Sequence, residues 1–356
     1  MIAPALLALL LGAELEVAAG APLAETLSRL APGDTLRLGP GEHRSGLGRL
    51  AGVTVVGAGA GVTFLLAPPG EDGAITDGDV TLRGLSLVAG PARSALKALA
   101  GAVRLEEVAL SGGAAGLFVD GARVSGRDLW LEGDYGLLQR SGAVSLTGVT
   151  ATGRDAGVAL LRGELELRRA AVTGPSREAA VTIGGGTARL SESVYRSGGP
   201  SGLAIQGGQV TASDLTISGP RERQGLGGDC LLLLRATLTL RSSELTACGG
   251  AAIEAARSEL RLDGVDAGGG AAGGFIFTDR TRAELLATLV TGRGPGLVAM
   301  EGARVVTWQA RTWTDPALWV DCGSGARVEA LDAHGARQPC APAQPPFSPP
   351  APTPAR

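Results

Sequence analysis

Side chains able to do chemistry are few in this chain. It holds two histidines, His43 and His334, one lysine, Lys97, and no asparagine. Any enzyme that needs a Lys or an Asn in its site is therefore nearly excluded. Neither histidine has a carboxylate or serine partner evident in the sequence, and both read as surface or cap residues. The four cysteines fall in two pairs, Cys230 with Cys248 and Cys322 with Cys340, each separated by 18 positions. None forms a C-x-x-C arrangement, and two histidines are too few to make a zinc site of them. In an exported chain the even count predicts two disulfides, each closing a loop worth about 3 kcal/mol in the chain-entropy picture; buried reduced thiols are the alternative.

Two further groups could meet a ligand. Glu106, Glu107 and Asp128 fall at equivalent positions of neighbouring repeats and could hold Ca²⁺. Arg83, Arg127, Arg168, Arg169 and Arg241 occupy the same positions, which favours a solvated ladder of mixed charge. Beyond that ion no cofactor is expected. Trp308, Trp313 and Trp319 fall where other repeats are polar or small, or where the side chain should point outward. Exposed tryptophan can stack on sugar rings, and it can equally seat a terminal segment over the end of the molecule. Arg221 and Arg223 lie in a polar insertion, Gly219 to Asp229, within the longest repeat. Glycine-rich runs such as Gly184-Gly-Gly186 precede no helix and no Gly-Lys-Ser/Thr, so they read as turns.

The elements that must position these groups follow from an internal repeat. Val80-Thr-Leu-Arg-Gly-Leu-Ser-Leu87, Val103-Arg-Leu-Glu-Glu-Val-Ala-Leu110, Val124-Ser-Gly-Arg-Asp-Leu-Trp-Leu131 and Val210-Thr-Ala-Ser-Asp-Leu-Thr-Ile217 share one pattern, and weaker copies continue to Val328. Successive starts are 20 to 23 residues apart, except for one repeat of 28. Apolar residues sit at offsets 0, 2, 5 and 7, the alternation of strands interrupted by a two-residue corner. A second apolar stretch follows near offset 14, as in Gly157-Val-Ala-Leu160 and Gly202-Leu-Ala-Ile205. Three short strands per repeat, with no helical periodicity, define a solenoid. Its core must be aliphatic, because the 356 residues include 57 Gly and only 11 aromatics (4 Trp, 2 Tyr and 5 Phe).

These residues resemble the pectin lyase-like superfamily, in particular its PbH1-repeat proteins. The segment from Leu23 through Pro32-Gly-Asp-Thr35 to Gly39-Pro-Gly41 is similar to that family's capping helix, first strand and turn. The resemblance implies an all-β, right-handed parallel β-helix of about 13 coils, and it implies that the offset-14 strands form the first sheet, whose outer face carries the family's catalytic cleft. The outward residues there should be Phe118, Asp120, Ala159, Thr182, Ala204, Gln206, Glu254, Ile276, Trp319 and Asp321. Asp120 and Asp321 would lie about 43 Å apart at the strand spacing of a sheet, too far for paired acid and base. The family's Asn-x-Asp, Gly-His-Gly and Asp-Pro-His patterns do not occur.

The domain reading is residues 1–13 as a signal peptide, 14–338 as one β-helix, and 339–356 as a Pro-rich tail, disordered or packed on the end coil. The apolar run from Ile2 to Ala13 is too short to span a bilayer. A net charge of −3 argues against nucleic acid as partner. The expectation is an exported, monomeric, non-catalytic protein at the cell surface, in the periplasm or outside the cell, which binds carbohydrate or cell-envelope material. A polysaccharide lyase or glycoside hydrolase with an unfamiliar site, or a structural spacer, are the alternatives.

Overall fold

The computed structural model describes residues 12–174, 177–219, 228–270, 273–292, 295–312, 320–323, 325–331 and 337–338. They form a right-handed parallel β-helix of about 13 turns, with almost no helix. The rod is roughly 60 Å long at a strand spacing of about 4.8 Å. Its first strand, Glu14–Val17, pairs in parallel with Thr35–Leu38. The short helix Leu23–Leu27 buries Leu23 at that end. The Pro-Gly-Asp-Thr motif closes the entry turn: one Asp34 carboxylate oxygen accepts from the Ala13 N–H at 2.7 Å and the other from the Ala31 N–H at 2.8 Å. His43 is not a surface residue; it is buried, with Nε2 3.0 Å from the Gly39 carbonyl.

Each coil crosses three sheets. In a typical coil, Ala102–Ser111 supplies the second and third sheets and Ala115–Val119 the first. The second and third sheets were expected as separate strands, yet they run as one. The corner bends the chain through a single left-handed residue while the flanking residues keep their register partners: Glu106 pairs with Arg83 and Arg127, and Val108 with Leu85 and Leu129. That residue has φ between +46° and +67° in eleven successive coils, from Gly84 through Glu107, Asp128 and Arg169 to Ala287 and Gln309. Left-handed geometry costs an L-residue about 1–2 kcal/mol. Here the parallel ladders on either side of the bend hold it in place.

Inside the rod, like residues stack on like. Leu117, Leu137, Val158, Val181, Leu203, Leu231 and Ile253 form one inward column of the first sheet, and all are essentially buried. Phe275 and Phe277 continue the filling with rings 6.0 Å apart. The glycine that precedes these strands answers a close approach. A β-carbon on Gly157 would stand 2.4 Å from Val172 Cγ1, and one on Gly202 2.4 Å from Ile217 Cγ2, because the chain turns there directly against the third sheet.

The predicted Cys230–Cys248 disulfide is formed, with a Cα–Cα distance of 5.1 Å. It ties the strand Asp229–Leu234 to the turn before Ala251–Ala256 in the next coil. Cys340 lies outside the described residues, as do residues 1–11, on which most of the expected signal peptide falls, residues 339–356 and His334. Among the described residues, no helix is long and apolar enough to cross a membrane.

Candidate functional site

The register defines the outer surfaces. On the first sheet the outward column runs Phe118, Leu138, Ala159, Thr182, Ala204, Leu232, Glu254, Ile276, Val298. The sequence expectation is met for Phe118, Ala159, Thr182, Ala204, Glu254 and Ile276, while Leu138, Leu232 and Val298 complete a stripe more apolar than expected. Asp120 lies two residues beyond this column and pairs with Arg140 at 3.4 Å. Asp321 pairs in register with Val298.

Carboxylates do meet on this sheet, at a place the sequence reading missed. Asp229 stands at the start of its strand, where its carboxylate accepts from the Ala251 N–H at 2.6 Å and interacts with Glu254. Burial, reinforced by the Glu254 carboxyl and opposed by the Ala251 hydrogen bond, lifts Asp229 to about 6. The adjacent Cys230 disulfide fixes its backbone. In sequence Asp229 appeared only as the last residue of the insertion, and nothing there brings it to Glu254 one coil further on.

A second polar group lines the loops that lead into the first sheet. Asp134 pairs with Arg154 at 2.6 Å, Asp155 with Arg177 at 3.2 Å, and the Tyr135 hydroxyl donates to Glu178 at 3.3 Å. Burial and the neighbouring carboxylates of Glu178, Asp155 and Asp134 raise the Tyr135 pKa. Such a phenol keeps its proton and donates hydrogen bonds; it is a poor base for abstracting a proton from a sugar.

The edge between the second and third sheets has a different character. Trp130 is 54% exposed and stands on the third sheet between Ala109 and Thr150. Trp308 is 46% exposed at the corner eight coils away, between Leu286 and Leu331 in register. The two tryptophans whose side chains are described thus face outward on opposite sides of the corner, Trp130 in a third-sheet column and Trp308 in a second-sheet column, about 38 Å apart along the rod. Hydroxyl and charged groups lie between them, among them Thr150, Arg168, Thr216, Arg241, Glu244 and Asp266. Trp130 was legible in the sequence, since it sits at an outward offset between Leu129 and Leu131. Trp313, Trp319, Arg221 and Arg223 lie outside the described residues.

The corner carboxylates do not converge. Glu106 is engaged by Arg127 at 3.2 Å and Arg83 at 3.6 Å, rather than stacking on Asp128. Glu107 and Asp128 are instead the left-handed residues of their coils. Among the described residues, no three His, Cys, Asp or Glu side chains form a group that could hold a metal ion. Arg168 and Glu192 add another exposed pair at 2.9 Å, consistent with a mixed ladder.

No protein-family model and no curated protein matches the chain. Among solved structures it is similar to the Azotobacter vinelandii mannuronan C-5 epimerase AlgE4 A-module, at 13% identity over 84% of this chain and 90% of that chain, with a TM-score of 0.46. The AlgE6 A-module of the same organism matches at 13% identity over 83% and 90%, with a TM-score of 0.39. An N-terminal fragment of bacteriophage Phi29 gene product 12 matches at 11% over 85% and 68%, with a TM-score of 0.36. At these identities and TM-scores no residue of this chain inherits a role from them.

Proposed function

We propose that the protein is an exported, non-catalytic β-helix that binds an extended polysaccharide along the edge between its second and third sheets. The observation that carries this reading is the exposure of Trp130 and Trp308 in the two columns that flank the corner, with hydroxyl and charged side chains in those columns between them. A tryptophan offers a flat apolar face to the C–H side of a pyranose, and the interleaved Thr, Arg, Glu and Asp groups can hydrogen-bond to its hydroxyls. The coil spacing of about 4.8 Å is close to the length of one sugar in an extended chain, so successive coils can address successive sugars. The disulfide supports an oxidising location outside the cytosol.

A hydrolytic reading has one observation in its favour. Asp229, lifted to about 6 beside Glu254 on the first sheet, is a carboxyl that could serve as general acid in mildly acidic conditions. The two readings separate in one experiment. Purified protein is incubated with acidic and neutral polysaccharides, with and without Ca²⁺, and both retention on the polymer and release of product are followed. Retention that is lost in Trp130→Ala, without product release, supports binding at the edge. Release of new reducing ends or unsaturated uronides, abolished in Asp229→Asn, would replace it with the enzymatic reading. Neither retention nor release would leave a structural spacer as the better account.

A further inference from the structure

The third-sheet side of that edge is poor in charge. Trp130 stands in register between Ala109 and Thr150, and Ala171 and Val194 follow on the next two coils. The neighbouring outward column, two residues further along each strand, holds Ser111, Glu132, Thr152 and Thr173. Over the nine coils from Ala109 to Leu289 these two columns carry only four ionisable side chains, Glu132, Glu244, Asp266 and Arg196. Three of the four are acidic, all four are exposed, and none makes an ion pair among the described residues. The face is also open: Trp130 is 54% exposed, and its column neighbours Ala109 and Thr150 are shorter than it is.

Charge near the indole is of one sign. Glu132 lies two residues along the strand, about 7 Å from Trp130, and Asp128 lies two residues the other way at the corner. The one cation of the two columns, Arg196, is three coils or about 14 Å away. At the corner, Arg127 and Arg168 are held by Glu106 and Glu192. Arg169, two coils on, has no such partner among the described residues and stands about 10 Å from Trp130 along the rod.

We propose that this face selects an uncharged, extended glycan, of the cellulose or chitin kind, over one that carries an acid on each sugar. The selection rests on Trp130 being the sugar platform and adds the class of sugar it takes. A pyranose stacked on the indole brings its ring substituents close to Glu132 and Asp128. A hydroxyl there donates to a carboxylate, whereas a uronate is repelled by it and meets no cation of the face nearer than Arg196. Thr150 and Thr152, on the next coil, exchange hydrogen bonds with hydroxyls and bring no charge. A neutral β-linked chain has flat C–H faces and repeats at about the coil spacing, so it can lie along the rod over the small residues beside Trp130.

Retention of the full chain on cellulose and chitin, compared with immobilised polygalacturonate and alginate at about 20 mM and about 0.5 M salt, tests the selection. The neutral glycans should bind at least tenfold more tightly at low salt, and the gap should narrow at high salt as the repulsion is screened. Glu132→Arg, an exposed substitution whose Tm should match wild type, is expected to shift the acidic-to-neutral affinity ratio at least tenfold toward the acidic glycans. An unchanged ratio in that variant would overturn the selection. So would tighter binding of the acidic glycans by wild type at low salt; if Trp130→Ala abolishes that binding, the edge remains the binding site and only the class of sugar is wrong. No retention on any of the four would remove the binding reading together with the selection.

Discussion

The first-sheet face and the second–third-sheet edge are built on the same coils, with the same strand spacing and the same inward columns, yet they are finished in opposite ways. On the first sheet the outward positions are Leu, Ala, Ile and Phe, with two charges in ten coils. On the other edge they are Thr, Arg, Glu and Asp, with two exposed tryptophans. The inward alternation alone suffices to specify the coil, which leaves every outward column free to diverge. Function in such a rod is therefore decided column by column.

If the two faces are different finishes on one shared interior, the largest effects must come from inside. Leu203→Ala should lower stability by about 2–5 kcal/mol, read as a shift in the urea midpoint, and it should impair both faces together. Gly202→Val pushes a side chain into Ile217 and should cost about 1–3 kcal/mol or more by the same measurement.

Next in size are the substitutions that tell the faces apart. Trp130→Ala combined with Trp308→Ala should reduce polysaccharide retention at least tenfold, with stability changed by no more than about 0.5 kcal/mol. Leu138→Ala on the first sheet should leave retention as it was. Equal loss of retention in both variants would erase the contrast.

A smaller effect probes the acidic end of the first sheet. In the folded chain Asp229 ionises near 6, against about 3.9 for a free aspartate. Between about pH 4 and pH 6 the folded state therefore holds a proton that the unfolded state has released. Stability from this group is present below about pH 4 and falls as pH rises through 6. Asp229→Asn keeps an acceptor for the Ala251 N–H and removes the charge, so its Tm should exceed that of wild type at pH 7.5 and converge with it near pH 4. A variant that melts below wild type at pH 7.5 would show that the carboxylate is favourably paired instead. Smallest of all, Ala287→Gly relieves a left-handed corner residue and should raise stability by about 0.5–1 kcal/mol.

The coil was readable because its period repeats a dozen times, and each copy corrects the others. Val103, Leu105, Val108 and Leu110 lie where the offsets put them, and the outward positions of Phe118, Glu254 and Ile276 followed from simple alternation. Contacts between coils were far less legible. Asp229 meets Glu254 across 25 positions that include a disulfide and a full turn, and Tyr135 reaches Glu178 two coils away. Glu106 meets Arg83 and Arg127 because the three share one register position, while Glu107 and Asp128 are the left-handed residues that follow it. Periodicity fixes which column a residue joins, while the reach of its side chain decides which neighbour it finds.

The corner bears also on how such a rod ages. Eleven successive coils bend through a left-handed residue, a conformation for which asparagine is the usual non-glycine choice, and in none of them is it used. Glutamine appears once among these bends, at Gln309; the rest are Gly, Asp, Glu, Arg, Ser or Ala. Asparagine is among the thermolabile residues because its side-chain amide is lost slowly by attack of the following backbone nitrogen. Each such event would add a charge or an extra backbone atom at a point where thirteen turns depend on even stacking. By making its bends without that amide, the chain removes the commonest deamidation clock from the part of the solenoid least able to absorb its damage.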